Sequence, residues 1–339
     1  MTTADSWFGG IVGSMFQLMH HIEPDNFDAR RYHGIPSNSF FYEEHARYFL
    51  FLEANREWFS KARWLLADEA SRELFDRLIL YRLLGHLHVR LPFNTAAMRD
   101  FQATTNQWKM ETTSDAGMFG PLSIFAVPID DDVLCFKCWD GNVAAHFIFH
   151  QYYFDRDGIA IAPSPGDHAL DVGGCFGDTA LGFARSVGSR GHVHTFDPMP
   201  KHCAIMRETF AMNPAFSDRI TVYAFGLSDV VSTASGAARG GIDPGARLEN
   251  DLPTRTLDSL DLPRIDFVKM DVEGAELMAL RGGEQSLRRW KPRLAISLYH
   301  RPEDFFMIPL WLDSLELGYR FYLDHYSIHH EETVLYATT

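Results

Sequence analysis

No run of apolar residues in this 339-residue chain is long enough to span a bilayer, although 46% of it is hydrophobic. Spread out in that way, the apolar content suits one large globular core or two modest ones. Basic residues are also scarce: 31 Lys and Arg stand against 45 Asp and Glu, a net charge of −14. A nucleic-acid partner would demand the opposite balance, so no nucleic acid is expected. The first twenty residues lack the basic stretch that opens a secretory leader, and a cytoplasmic protein without membrane attachment is the expectation. Cysteines number only four. Cys135 and Cys138 have C-x-x-C spacing but fall in the strand-like run Val133 to Trp139 with no second pair at zinc spacing, so reduced, partly buried thiols are expected. Repeats and low-complexity segments are missing as well.

What is present is organised around Ala169 to Ala184, ALDVGGCFGDTALGFA, which reads as the end of a buried strand, a glycine turn and a helix start. Gly173 and Gly174 let the backbone turn, Gly177 lets a ligand approach, and Asp178 or Thr179 caps the helix. An open parallel sheet builds a nucleotide site at its carboxyl edge in this way. The dinucleotide fingerprint has glycines at its first, third and sixth positions, whereas here they fall at first, second and fifth.

Residues 1 to about 45 show no sustained period and read as loops and short turns. Glu43 to Leu91 reads as helix, with Leu74, Leu78, Tyr81 and Leu84 at helical spacing and Gly85 as a stop. Leu91 to Gly120 reads as polar and irregular, followed by a hairpin from Leu122 to Val127 and Val133 to Trp139. His146 to Tyr153, HFIFHQYY, reads as a core strand, with a place lining the cofactor cleft as the alternative. The organisation expected is a mainly helical lid, acceptor or dimerisation region over 1–115, connecting strands over 116–160, and a cofactor-binding domain over 161–339.

After the glycine helix, strands and helices alternate. Strands are expected at Gly191 to Phe196, Ile220 to Phe225, Ile265 to Met270 and Arg293 to Leu298, with helices at Lys201 to Met212, from the fourth strand to Arg281, and at Asp304 to Glu316. Tyr319 to Leu323 and Thr333 to Ala337 suit a closing antiparallel pair. Ser228 to Pro253 reads as a surface excursion. Asp197, ending the second strand, is placed to accept hydrogen bonds from both ribose hydroxyls, helix capping being the alternative.

The segments LDVGGCFGDTAL, HTFDPMP, ITVYAFGLSD, TRTLDSL, IDFVKMDVEGAE and ETVLYA together resemble the FkbM-type family of class I S-adenosylmethionine-dependent methyltransferases, most specifically in VKMDVEGAE. The resemblance implies an α/β fold with a seven-stranded Rossmann-like sheet, mostly parallel with an antiparallel last strand. It also implies methyl transfer from S-adenosylmethionine to a hydroxyl of a small molecule, secondary metabolite or glycan. Asp171, Gly173, Gly174 and Gly177 would hold the cofactor's amino-acid end, flanked by Phe176, Asp178 and Thr179. Asp197 would hold its ribose and Phe225 its adenine edge, with Met199 also among the cofactor-binding residues. After the fifth strand the chain departs from the family pattern, reading Ser297, Leu298, Tyr299, His300, Arg301 where many relatives carry an acid.

Methyl transfer to a hydroxyl needs in-line positioning and a base. His300 and Asp271 fall at the carboxyl ends of strands five and four, and His300 is the candidate base, a surface turn being the other reading. Asp271 holds the cofactor's methionine end or the acceptor, or with His300 binds a divalent metal, for which two ligands are too few. Lys269 shares the strand face of Asp271 and orients an acid or pairs with one. Glu273 and Glu276 fall on the following helix. His325, His329 and His330, with Asp324 and Glu331, read as a solvated loop. Trp58, Phe59, Trp64, Tyr152 and Tyr153 suit stacking on an acceptor. A homodimer is compatible with the helical region. The competing readings are a nicotinamide-dependent oxidoreductase and a scaffold without chemistry.

Overall fold

The computed structural model describes residues 2–23, 26, 42–92, 95–117, 120–233 and 252–339. Four helices come first: α1 (Thr3–Leu18), α2 (Tyr42–Ala54), α3 (Arg56–Leu65) and α4 (Glu69–Leu84). Helix α5 (Thr95–Trp108) leads into an antiparallel sheet of β1 (Lys109–Gly117), β2 (Gly120–Ile129) and β3 (Asp132–Cys138). A short α6 (Asp140–Val143) runs into a π-helical turn, Ala144–Ile148, and then the hairpin β4 (Phe154–Arg156) and β5 (Ile159–Ile161). Alternation begins at β6 (His168–Val172), α7 (Asp178–Val187) and β7 (His192–Phe196), and continues through α8 (Pro200–Ala211), α9 (Pro214–Ser217) and β8 (Ile220–Tyr223). The short strands β9 (Gly226–Leu227) and β10 (Thr254–Arg255) precede β11 (Phe267–Met270), α10 (Glu276–Arg281), α11 (Glu284–Trp290) and β12 (Arg293–Ser297). Helix α12 (Asp304–Ser314) and the strands β13 (Arg320–His325) and β14 (Thr333–Thr338) end the chain.

Seven strands form one sheet of order β13-β14-β12-β11-β6-β7-β8. β12, β11, β6, β7 and β8 run parallel, and β13 is antiparallel to β14. The expected α/β architecture is therefore the one found: a mostly parallel seven-stranded sheet, an antiparallel closing pair and a helical N-terminal region.

The chain divides into two compact units, Gln102–Ile296 and Met1–Phe101 with Ser297–Thr339. In the second of these, helices from the start of the chain are built onto strands from its end. Ala67 N donates to Phe321 O at 2.7 Å, and Leu323 N donates to Ser71 Oγ at 2.8 Å. Phe59, fully buried, meets the edge of Phe306 at 5.0 Å, and Phe75 lies 5.8 Å from Phe305. Burying each such ring contributes about 1.5–3 kcal/mol. Phe59 is thus core rather than a stacking surface, while Trp58 and Trp64 are half-exposed. Asp68 caps α4 by accepting from Ser71 N at 2.7 Å, and Gly85 closes it with φ +79, as the spacing predicts.

Three stretches differ from the sequence reading. The first is helix over Thr3–Leu18 rather than loops: Thr2 and Asp5 form a reciprocal capping box, and Ala4 and Ile11 are buried on its inner side. The stretch from Leu91 to Gly120 is not irregular but contains α5 and β1. His146 to Tyr153 is not a strand, because the chain passes through the π-helical turn and then a left-handed backbone at His150 and Tyr152. The excursion expected from Ser228 to Pro253 lies outside the described residues over 234–251. Cys135 and Cys138 lie on β3, half-buried and buried.

Candidate active site at the glycine turn

The turn after β6 is fixed by its own crowding. Gly173 has φ +88, and a Cβ there would sit 1.8 Å from Asp271 O. A Cβ on Gly174 would sit 2.0 Å from Thr195 Oγ1, and on Gly177, at φ +86, 2.9 Å from the Phe210 ring. These glycines let three strand ends close on one another. Gly177 is the N-cap of α7, so Asp178 is its first helical residue and neither Asp178 nor Thr179 caps it.

Beneath the turn lies a buried ion pair. Strand register sets Lys269 beside Asp171, and Nζ lies 3.1 Å from Asp171 Oδ1 while donating to Gly173 O at 2.7 Å. Asp171 Oδ2 accepts from Thr195 Oγ1 at 3.2 Å. Burial alone would lower the ammonium's pKa, but the Asp171 and Asp271 carboxylates raise it above its ordinary value, so it stays charged. Lys269 pairs with an acid, the second of the two roles its strand position offered.

Around the turn stand three more carboxylates. Asp197, at the end of β7, accepts from Cys175 N at 3.0 Å and Met199 N at 2.8 Å, and lies 3.1 Å from His202 Nδ1. It thereby ties the glycine turn to the start of α8, where Met199 is the N-cap. Asp178, 1% exposed, meets His146 Nδ1 at 2.7 Å, with Thr179 Oγ1 3.4 Å from the same nitrogen. A carboxylate only accepts, so Nδ1 carries the proton and Nε2 is the basic atom of His146. Asp271 accepts from the Tyr152 hydroxyl at 2.9 Å. Tyr152 is buried with φ +75, and the non-glycine residues His150, Cys175 and Glu273 also have positive φ. Strained backbone and a π-helical turn gather at functional sites because neighbouring contacts must hold them in place.

The field of this arrangement is negative. Burial pushes the Cys175 thiol well above its ordinary pKa, with the Asp178, Asp197 and Asp271 charges adding to the rise and Lys269 opposing it. The donor set thus fits a cofactor that is cationic near the turn, and it opposes a pyrophosphate. Asp197 has room for a hydroxyl donor as well: its two oxygens have four acceptor positions and three internal partners.

Other expected residues fall as follows. Phe176 is buried between the edges of Trp139, 5.0 Å away, and His202, 5.2 Å away. Phe225 follows β8, 5.6 Å from Tyr223, with the Arg255 guanidinium 4.9 Å above its ring. Glu273 lies in the turn before α10, not on the helix, and Glu276 is fully buried, accepting from Val272 N at 2.9 Å. His300 stands three residues beyond β12, its ring 4.1 Å from that of Tyr299. Of the histidines of the last hairpin, His325 and His329 are not solvated, whereas the His330 side chain is half-exposed beside Glu331. His325 ends β13 fully buried with Nδ1 2.9 Å from Thr333 Oγ1, and His329 is 8% exposed. His146 has no role in the sequence reading, and Tyr152, expected to stack on an acceptor, is instead buried with its hydroxyl on Asp271, although HFIFHQYY marked the segment of both.

Residues 171–321 match the family described as Methyltransferase FkbM domain. Among solved structures, Methyltransferase FkbM from Methylobacillus flagellatus KT aligns with a TM-score of 0.55 at 19% identity, over 85% of this chain and 60% of that one. The chain therefore spans less than two thirds of that protein, and the likeness is one of fold. Aeropyrum pernix fibrillarin in complex with S-adenosyl-L-methionine aligns at a TM-score of 0.36, 13% identity, 68% of this chain and 100% of that one. A SAM-dependent O-methyltransferase from Thermotoga maritima aligns at 0.34, 14% identity, 52% of this chain and 61% of that one. Comparison with curated proteins returns no match. No helix among the described residues is long and apolar enough to cross a membrane.

Proposed function

We propose that this protein, whose residues 171–321 make up a methyltransferase FkbM domain, is an S-adenosylmethionine-dependent methyltransferase acting on a hydroxyl of a small molecule or glycan. The observation that carries the reading is the ring of Asp178, Asp197 and Asp271 around Cys175, a negative environment suited to a sulfonium and an ammonium. When bound, the cofactor supplies an electrophilic methyl carbon on a sulfur that leaves as a neutral thioether.

The chain's own residues then have three tasks. Lys269 and Asp171 hold the turn that receives the cofactor's amino-acid end, with Gly173, Gly174 and Gly177. Asp197 accepts from a ribose hydroxyl at its one open acceptor position, and Phe225 gives the adenine an edge. Asp271, fixed by Tyr152, orients the acceptor or the cofactor's methionine end. The proton of the acceptor hydroxyl goes to a histidine. His300 holds this place in the sequence argument, and the 2.7 Å Asp178 contact makes His146 the second candidate, since it leaves Nε2 basic.

Calorimetric titration with S-adenosylhomocysteine and, in parallel, NADH tests the cofactor. Saturable binding of the first alone supports the proposal, and binding of NADH alone replaces it with the oxidoreductase. A chelator arm tests a divalent metal. His300→Gln and His146→Gln then separate the bases: the true base loses about 10²–10⁴-fold in turnover with cofactor affinity intact, and the other does not.

A further inference from the structure

A cavity is lined by residues of the unit formed by the two ends of the chain. It has a volume of about 450 Å³, inside the range of small-molecule sites, and is walled by Tyr48 and Phe51 of α2, Tyr81 and Arg82 of α4, and His330. Its walls combine the rings of Tyr48, Phe51 and Tyr81 with two arginines, Arg47 and Arg82, and one carboxylate, Glu44. The Arg82 guanidinium lies 5.8 Å from the Tyr48 ring centre and 5.2 Å from that of Phe305, and Nη2 donates to Tyr299 O at 3.1 Å. No carboxylate among the described residues pairs with Arg82. Arg47, also at this cavity, is exposed and taken by Glu43 at 3.2 Å.

Two polar atoms here are buried without partners: Arg82 Nε and the hydroxyl of Tyr48, a residue only 8% exposed. Burial raises the Tyr48 pKa to about 12 even with the Arg82 charge nearby, so the hydroxyl keeps its proton and can only donate to an anion. Folded proteins rarely leave such donors unsatisfied, and a pair of them on aromatic walls describes the missing acceptor. It is an anion with a flat apolar body. A planar carboxylate matches the guanidinium fork, and an aromatic or other flat ring matches the Tyr48, Phe51 and Tyr81 surfaces.

We propose that this cavity is a binding site for a small carboxylate built on a flat ring, with Arg82 and Tyr48 as its anion-recognising pair. The site stands apart from the methyl-transfer reading, because its occupation is measured on the full chain without cofactor. The probe is 2-naphthoate, with uncharged 2-naphthylmethanol as its control, titrated by calorimetry. Naphthoate should bind at least about tenfold more tightly than the alcohol. Arg82→Gln should erase that preference, and Tyr48→Phe should weaken naphthoate several-fold while leaving thermal unfolding unchanged. Arg82→Lys guards against a folding defect, since it keeps the charge but loses the fork and should retain a part of the preference. No saturable naphthoate binding to the unaltered protein overturns the proposal. So does equal binding of the two probes, or full naphthoate affinity in Tyr48→Phe and Arg82→Gln.

Discussion

Lys269 and Asp171, neighbours across β11 and β6, form a fully buried ion pair that is also tied to the glycine turn through Gly173 O. Buried pairs are costly to break because the survivor is left as an isolated charge. Lys269→Met should therefore destabilise the protein by about 3–5 kcal/mol in urea unfolding. Lys269→Met with Asp171→Leu should regain much of that loss. If the single variant is as stable as the parent, the pair does not hold the turn.

Gly173→Ala is a sharper test of the same turn. Its Cβ would overlap the Asp271 carbonyl oxygen, which is backbone and has no other rotamer, and φ +88 strains any L residue. A loss of ~4 kcal/mol or more is expected. Thermal unfolding and S-adenosylhomocysteine titration should fail together, and a variant with normal melting would mean that Asp271 can move.

Asp197→Asn removes the charge and keeps an acceptor for only one of its two backbone donors, since Cys175 N bonds Oδ2 and Met199 N bonds Oδ1. A charge-assisted bond is worth roughly 1.5–3 kcal/mol, so S-adenosylhomocysteine affinity should fall about 10–100-fold, and the backbone N–H that loses its acceptor should lower the melting temperature by a few degrees. Unchanged affinity removes Asp197 from the ribose.

Acid should unfold this protein partly through His325. Burial lowers its pKa from 6.5 to about 3, so between those values the unfolded chain holds a proton that the folded chain does not. Stability then falls as pH falls, by up to about 1.4 kcal/mol per unit, and the effect is absent above pH ~6.5. His194, lowered to about 3 by burial and by His192 and His168, adds in the same direction. Urea midpoints measured from pH 7.5 to 4.5 should show a shallower slope for His325→Gln than for the parent.

The alternating part of the chain was legible because β6, β7, β11 and β12 are short runs of buried residues with helices between, with Asp171 one residue before the end of β6 and Asp197 and Asp271 directly after β7 and β11. Local patterns decide such segments. Helix α1 was less legible because Gly9, Gly10 and Gly13 blur its period, while the Thr2–Asp5 box that starts it depends on two side chains meeting. HFIFHQYY is strand-like in composition, but its fate is set by long-range partners, Asp178 for His146 and Asp271 for Tyr152. Likewise three of the four acids around the turn were visible as strand ends, whereas the histidine that meets the fourth belongs to a segment no spacing rule connects to it.

The unit that joins the first hundred residues to the last forty imposes an order on biosynthesis. Helices α3 and α4 leave the ribosome with Phe59 and Phe75 packed only on one another, Trp7 and Phe51, and Phe305 and Phe306 arrive only after all of Gln102–Ile296 has been made. The nascent chain must carry those rings partly exposed while the central unit forms, which makes it a natural client for chaperones that hold apolar surface. A stop codon before α12 would leave a complete central unit attached to helices that never find their partners.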